Sequence, residues 1–558
     1  MLRIPAAFRL NAHSIQIATA ISFIWLFLIF AFRYHDPTGS FPAVKAPASD
    51  PGKVNHPSSP SLKSFTPIEV GARHFLDYPL NPPYKEIFGE LGERAVVLRA
   101  WIEELESQVE ASPADSQGRK TVAELVQKVT ESLFPYLKPL STGPSPPLSA
   151  IRDRLGLTSD ANNTSPVPQS AGIVIPTGDK TLRFACHLIA SLTRVHKTKL
   201  PIQVVYAGPE DLSAEGKEAL QKAGDGRQIE LLDVLTVFDD STLQLAHGGW
   251  AIKPFAALAS RFEQVILLDA DTVFLQDPEE ILSQDRYIET GVMLFHDRLL
   301  WKGGFAERQD WWHEQIKHPS AETAKSLVWT ERYSEEGDSG LVVVDKSRLD
   351  VLIGLLHIGW QNSHDVREEW TYKITYGDKE TWWIGFEATE STYTFSPHYG
   401  GIVGWLGPTK EETERAEAEK KKQEEEDLEL QKIEADALEK AANNARRDAE
   451  PEDEEKDEEE DKEEIRVCSF VIAHVDQTEK LLWYNGGLLK NKAVNQTAFE
   501  VPTHWMIDQH WVKGGSKKDM SCMVGTDAST LSEHERDILS RSIAAAQDVD
   551  ERLGLISS

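Results

Sequence analysis

Cysteine is scarce. The 558 residues contain three, Cys186, Cys468 and Cys522. So few exclude a disulfide-stapled scaffold, and no two stand at the spacing of a zinc site. One bridge with an odd thiol left over fits an oxidising compartment. Positive charge is also short, with 59 Lys and Arg against 90 Asp and Glu, a formal net charge of −31. That surplus excludes non-specific binding of nucleic acid or of an anionic membrane surface by the chain as a whole. Long apolar runs are confined to one place, Ile15 to Phe32, broken only by Gln16, Thr19 and Ser22. What is present in quantity is length, enough for a large core with appendages.

The Ile15–Phe32 run is just long enough for a membrane-spanning helix. Arg3 and Arg9 precede it, and Arg33 and Asp36 follow, so the charge bias is slight and puts residues 1–14 in the cytosol. No small-x-small cleavage site follows, so a type II signal anchor over 15–32 is expected rather than a cleaved signal peptide. Pro, Ser, Gly and Lys then dominate, and residues 33–83 read as a stem or linker. Over 84–140 a helical period returns, in Val97, Leu98, Trp101, Ile102 and Leu105 and again in Val122, Leu125, Val126 and Val129. A helical neck packed on the next domain is expected. A dimerising coiled coil is the alternative, disfavoured because the run is too short for sustained heptads. Residues 141–170 form a Pro/Ser-rich linker in which Asn162 and Asn163 each begin a glycosylation sequon.

From residue 171 the pattern is strand and helix in alternation. Gly172–Ile175, Ile202–Ala207 and Ile229–Val234 read as strands, and the helix carrying Leu182, Ala185, Leu188 and Leu192 crosses between the first two, with Asp179 placed to cap it. This order predicts an α/β fold with a mostly parallel sheet. Val265–Leu268 is apolar at every position, as a strand buried on both faces must be. It ends at Asp269 and Asp271. Two carboxylates that close repel, and at a strand end a divalent cation such as Mg²⁺ or Mn²⁺ relieves them. Asp-x-Asp alone is also a common surface turn. Lys253, just before Pro254, is a point charge that can meet a diphosphate, or an ordinary surface lysine. A first catalytic part over 171–408 ends where residues 409–464 break the pattern with 26 Asp and Glu against 11 Lys and Arg, which reads as a solvated, disordered insertion. A second catalytic part covers 465–529. It includes a strand ending at His474 and Asp476, then Trp483-Tyr484-Asn485-Gly486-Gly487 and a third sequon at Asn495. The 530–558 tail is expected to be helical.

The ordered block Trp250-Ala251-Ile252-Lys253-Pro254-Phe255, Phe262-Glu263, Leu267-Leu268-Asp269-Ala270-Asp271 and Gln276-Asp277-Pro278-Glu279 resembles the fungal Golgi mannosyltransferases of glycosyltransferase family 71, the α-1,3 enzymes and their α-1,2 relatives. The resemblance spans roughly Ala171 to Lys492, with gaps. It implies a GT-A-like nucleotide-sugar transferase fold, a GDP-mannose donor, Mn²⁺ on Asp269 and Asp271, and transfer to mannose-terminated glycans on glycoproteins in the Golgi lumen. Pro176-Thr177-Gly178-Asp179-Lys180 with Arg183 matches the family's opening motif, so Thr177, Gly178 and Arg183 are expected at the donor nucleotide. Lys253 is expected at the phosphates, Ser339 and Gly340 beside the donor sugar, and Asp378 and Glu380 near the reacting sugar; the polar turn before Leu341 can set Asp338 or Glu336 against a sugar hydroxyl, or is a plain capped turn. His474 is either a third metal ligand or a hydrogen-bonded core histidine. The block Gly172–Leu192 looks more like the α-1,3 members, with an α-1,2 linkage as the alternative. The family is expected to retain configuration. A non-catalytic sugar-binding or scaffold protein of the secretory pathway is the rival from another class, and intact Asp269 and Asp271 argue against it. Assembly, as a homo-oligomer or in a Golgi mannosyltransferase complex, stays open.

Overall fold

The computed structural model describes residues 66–111, 117–158, 170–409, 464–516 and 518–555, with isolated positions between 412 and 422. The 15–32 anchor and the tail before it, most of the 33–83 stem, Asn162, Asn163 and nearly all of the 409–464 insertion lie outside them. No helix among the described residues is long and apolar enough to cross a membrane.

Seven strands make the central sheet: β1 Ala171–Pro176, β2 Ile202–Tyr206, β3 Glu230–Asp233, β4 Gln264–Leu268, β6 Val292–His296, β7 Gly337–Asp345 and β8 Thr394–Phe395. Their order is β3-β2-β1-β4-β7-β6-β8. The expected parallel sheet is present, and only β7 is reversed, antiparallel to both β4 and β6. Both faces are covered at the centre of the sheet, which is why Val265–Leu268 of β4 is apolar at every position. Val265 and Leu267 of β4 point into one core, Ile266 and Leu268 into the other.

The first core also holds the expected neck. Helices Phe88–Ala111 and Gln117–Leu133 contribute Ala95, Leu98, Ile102, Val126 and Val129 to the cluster that contains Phe255 and Leu352. Phe88 packs edge-on against Trp311 and Trp360 at 4.9 and 4.8 Å, and the Tyr136 hydroxyl donates to the Leu356 carbonyl at 2.6 Å. The neck is therefore a wall of the domain. Each such buried aliphatic side chain stabilises by roughly 1.5–3 kcal/mol.

Three expected boundaries differ. A helix over Pro67–Asp77, capped by Thr66 and burying Ala72 and Phe75, falls inside the range read as stem. Another over Pro146–Arg154 buries Leu148 and Ile151 inside the range read as linker. In both, a proline in the first helical turn resembles a linker in composition yet starts a helix. The C-terminal stretch is a structural helix, Glu533–Leu553. A Ser532/Glu535 capping box starts it, and it buries Leu539, Ala546 and Val549. Asp179 does not cap the Leu182–Ala190 helix; its carboxylate accepts from the backbone N–H and hydroxyl of Ser213.

After β8 the chain builds a second sheet from β9 Ile402–Leu406, β10 Ile465–Ser469, β15 His504–Met506, β16 His510–Val512, β17 Ser521–Gly525 and β18 Ser529–Thr530. β9 and β10 are antiparallel neighbours, with Val467 opposite Leu406. The acidic insertion thus departs from one strand of a pair and returns on the other, leaving the sheet uninterrupted. Cys468 and Cys522 face each other across β10 and β17 and form a disulfide, while Cys186 is free and buried. A third, three-stranded sheet ties this region to the site: β11 Ile472–Val475 pairs with β12 Leu481–Asn485, which pairs with β5 Thr272–Phe274.

Candidate active site

Register places the site. Leu268, the last residue of β4, lies opposite Leu341 of β7. Because β7 is reversed, its first four residues overshoot the end of β4 and meet the turn that follows. The Asp269 N–H donates to the Gly340 carbonyl at 2.8 Å, and the Thr272 hydroxyl donates to the same oxygen at 3.0 Å. Asp338, Ser339 and Gly340 are so brought to Asp269. β12 then lies along β5, setting Asn485 opposite Thr272.

Lys253 is the hub. It leaves the first turn of the Ile252–Ala259 helix and is buried. Its ammonium lies 2.8 Å from Asp269 Oδ1 and 3.4 Å from Asp378 Oδ1, and donates to the hydroxyl and carbonyl of Ser339 at 3.0 and 3.1 Å. Burial opposes its charge, but the Asp269 and Asp378 carboxylates outweigh burial and hold its pKa above the ordinary lysine value. It is a fixed cation, not a surface lysine.

Asp269 and Asp271 keep 24% and 18% of their side-chain surfaces open. Burial, together with the neighbouring Asp271 and Asp378 charges, raises the Asp269 pKa above the carboxylate range despite Lys253. Asp271 pairs with Lys492, which stands beyond the Gly486-Gly487 turn. Both glycines have positive φ, and the Gly486 N–H donates to the Asp271 carbonyl at 3.2 Å.

The other expected carboxylates are sealed. Asp338 accepts from His474 Nε2 at 3.0 Å, from Asn485 Nδ2 at 3.1 Å and from the Gly340 N–H at 2.9 Å. Burial alone would raise its pKa, yet the His474 hydrogen bond and charge, the Lys379 charge and the Gly340 N–H hold it well below the usual range. Asp378 accepts from the Trp382 indole at 2.8 Å, at the start of the Lys379–Ala388 helix. Glu380, fully buried, accepts from the N–H groups of Glu336 and Gly337 at 3.0 and 3.3 Å and from the Trp383 indole at 2.7 Å. It pins the entry to β7, and burial pushes its pKa up to about 8. Lys379 pairs with buried Asp297.

Other expected site residues have partners of their own. His474 is bonded to Asp338 and stacked on Trp483 at 4.3 Å. Among the described residues no three His, Cys, Asp or Glu side chains are arranged to hold a metal ion. Arg183, expected at the nucleotide, forms a two-pronged ion pair with Asp550 of the C-terminal helix at 2.9 and 2.7 Å, and His187 joins it at 2.8 Å. The Thr177 hydroxyl is bonded to that of Thr181 at 2.7 Å, and Gly178 lies so close to Asp211 that a Cβ would sit 2.1 Å from its carboxylate. Ser339 and Gly340 hold Lys253 and Asp269 in place. Asn495 is exposed at the start of β14, Asn495–Phe499. Sequence reasoning passed over Asn485, Lys379 and Lys492 as partners; the Asn-Gly-Gly turn was the available signal for the first. Nothing in the C-terminal stretch marks Asp550.

The open pair presents two hard oxygen donors with a cation on each side. That donor set fits Mg²⁺ or Mn²⁺, which need one or two carboxylates and take their remaining ligands from phosphate and water. Among the described residues neither carboxylate accepts from a backbone donor; Asp271 holds the half-exposed Lys492 ammonium, which an incoming cation can replace, while Lys253 stays fixed beside Asp269. A sealed carboxylate has no such freedom.

Residues 170–431 match the family model described as "Mannosyltransferase putative". The chain is 25% identical over 423 residues to the α-1,3-mannosyltransferase MNT3 of Saccharomyces cerevisiae, covering 69% of this chain and 58% of that one. It is 24% identical over 365 residues to the α-1,3-mannosyltransferase MNN1 of the same yeast, covering 57% and 40%. It is 25% identical over 317 residues to the putative α-1,3-mannosyltransferase MNN14 of Candida albicans, covering 52% and 44%. The chain thus spans about half the length of the curated relatives it matches. The S. cerevisiae mannosyltransferase Ktr4p is similar at 11% identity and a TM-score of 0.28, over 52% of this chain and 84% of that one, too low to carry a conclusion.

Proposed function

We propose that this chain, which fits the mannosyltransferase family through residues 170–431, transfers mannose from GDP-mannose to a mannose hydroxyl of a glycan. The observation that carries the reading is the open Asp269–Asp271 pair at the end of β4, with Lys253 fixed between Asp269 and Asp378. The residues expected to hold a divalent cation are these two carboxylates, and the ion, when bound, would neutralise the leaving diphosphate as a Lewis acid. Lys253 orients Asp269 and keeps a positive charge beside the site at every working pH. Lys492 is placed to pass from Asp271 to a phosphate oxygen. Asp338, held by His474 and Asn485, and Glu380, held by two backbone N–H groups, act as positioning residues for β7. Asp378 is the inner acid that shares the Lys253 ammonium with Asp269. The α-1,3 linkage, a GT-A-like chain course, a Golgi location behind a type II anchor and glycoprotein acceptors complete the proposal. The yeast and Candida relatives named for α-1,3 transfer support the linkage.

The test is transfer by the purified protein with Mn²⁺, a panel of nucleotide sugars and an α-mannobiose acceptor. GDP-mannose is expected to be the donor used, and the product α-1,3-linked. Use of a different donor, or an α-1,2 product, would correct the donor or the linkage. A folded protein that turns over none of the donors would sink the proposal.

A further inference from the structure

We propose that Trp250 and Tyr376 form the seat of the acceptor sugar, a subsite that packs one face of a pyranose ring beside the inner carboxylates. The inference rests on the reading that the chain transfers a sugar. Among the described residues most aromatic side chains are buried, but Trp250 and Tyr376 are 48% and 61% exposed. They touch, with ring centroids 5.2 Å apart and planes inclined by 47°, and so form an open-sided wedge. The two rings come from segments far apart in the chain. Trp250 stands three residues before Lys253 and Tyr376 two residues before Asp378, and Lys253 and Asp378 lie 3.4 Å apart. The wedge therefore stands next to the catalytic cluster.

The backbone is built to hold it there. Gly377, between Tyr376 and Asp378, has φ +69°, and a Cβ on it would come within 2.8 Å of the Trp250 ring. Only glycine lets this loop lie under the indole. The Thr375 hydroxyl fixes the loop: it lies 2.7 Å from the Gly377 carbonyl and 3.0 Å from that of Thr371, and its one proton goes to either. Two large rings left in water cost stability, roughly 25 cal/mol per Å² of apolar surface, and a ligand face that covers them recovers it. A pyranose matches both halves of the place: its C–H face packs on aromatic carbon, and its hydroxyls donate to carboxylates. Asp269, which keeps part of its surface open beside Lys253, can accept from such a hydroxyl.

The test is steady-state kinetics of the full chain with GDP-mannose and α-mannobiose, alongside tryptophan fluorescence on adding α-mannobiose without donor. Trp250→Ala and Tyr376→Ala are expected to raise the acceptor KM about tenfold or more and leave the donor KM within about twofold. Tyr376→Phe, which keeps the ring, is expected to recover most of the acceptor KM that Tyr376→Ala loses. An acceptor KM that does not move, or a donor KM that rises in its place, would overturn the subsite; the latter would make the wedge a nucleobase seat. The fluorescence arm needs no turnover. Quenching by mannobiose that Tyr376→Ala abolishes, in a protein that transfers nothing, keeps the subsite and sinks the transfer reading. Turnover indifferent to both rings does the reverse. If Trp250→Ala melts early, Tyr376→Ala decides alone.

Discussion

The acids at the end of the central sheet fall into two sets. Asp269 and Asp271 keep about a fifth of their side-chain surface open, and each is paired with a lysine. Asp338, Asp378 and Glu380 keep at most 2% and are tied to indole, imidazole, amide or backbone N–H groups, Asp378 sharing the Lys253 ammonium as well. Both sets are carboxylates in family-like motifs, so residue type does not separate them. Exposure does. The ammonium of half-exposed Lys492 can be exchanged for another cation. A backbone N–H cannot leave, and a buried carboxylate deprived of its donors is left with an uncompensated charge.

That difference predicts graded effects. Asp271→Asn removes an oxygen the proposed cation needs and is expected to lower kcat/KM about a thousandfold or more, equal to about 4 kcal/mol, with the melting temperature almost unchanged. A large drop in melting temperature would move Asp271 into the sealed set. Arg183→Ala should do the opposite. It leaves Asp550, buried against His187, without its guanidinium, at a cost of about 3 kcal/mol or more in denaturant unfolding. The donor KM of the folded fraction should not change, whereas a nucleotide-binding arginine would raise it.

Glu380→Gln keeps an acceptor for the Glu336 and Gly337 N–H groups but loses the one for the Trp383 indole. About 1–2 kcal/mol of stability should go, with kcat changed only a few-fold; a hundredfold fall in kcat would make Glu380 catalytic. Its pH signature has a definite sign. The folded pKa, about 8, lies above the ordinary 4.5, so the folded state binds the extra proton. Its contribution to stability is full below the unfolded value and is lost as pH rises through about 8. Urea melts of the native protein should weaken from pH 5 to 8, and Glu380→Gln should flatten that fall. The smallest effect belongs to Lys492→Ala. An exposed pair is worth at most about 1 kcal/mol, so removing the competitor for Asp271 should tighten Mn²⁺ binding by no more than about fivefold in a titration.

How much of this was legible in the sequence follows from what each residue touches. β4 was readable because both its faces are buried, which forces four apolar residues in succession before Asp269. The reversed β7 carries the same apolar signature as a parallel strand, so its direction was not readable, and with it went the overshoot that delivers Asp338 and Ser339 to Asp269. Lys253 and the open pair were found through the ordered motif. His474 was left between two roles because Asp338 stands 136 positions away, and no local pattern marks that bond. The Arg183–Asp550 pair was not readable for the same reason: Asp550 lies 367 positions on, in a stretch with no motif. The helices over Pro67–Asp77 and Pro146–Arg154 were missed because proline was read as linker composition rather than as a helix start.

The central claim is that the open pair, and not the sealed acids, holds the cation. Electron paramagnetic resonance of Mn²⁺, titrated into the protein with GDP present, tests it most directly. The account predicts one bound ion in the native protein and in Glu380→Gln, and none in the Asp269→Asn/Asp271→Asn double variant. An ion retained by the folded double variant, or lost in Glu380→Gln, would contradict it.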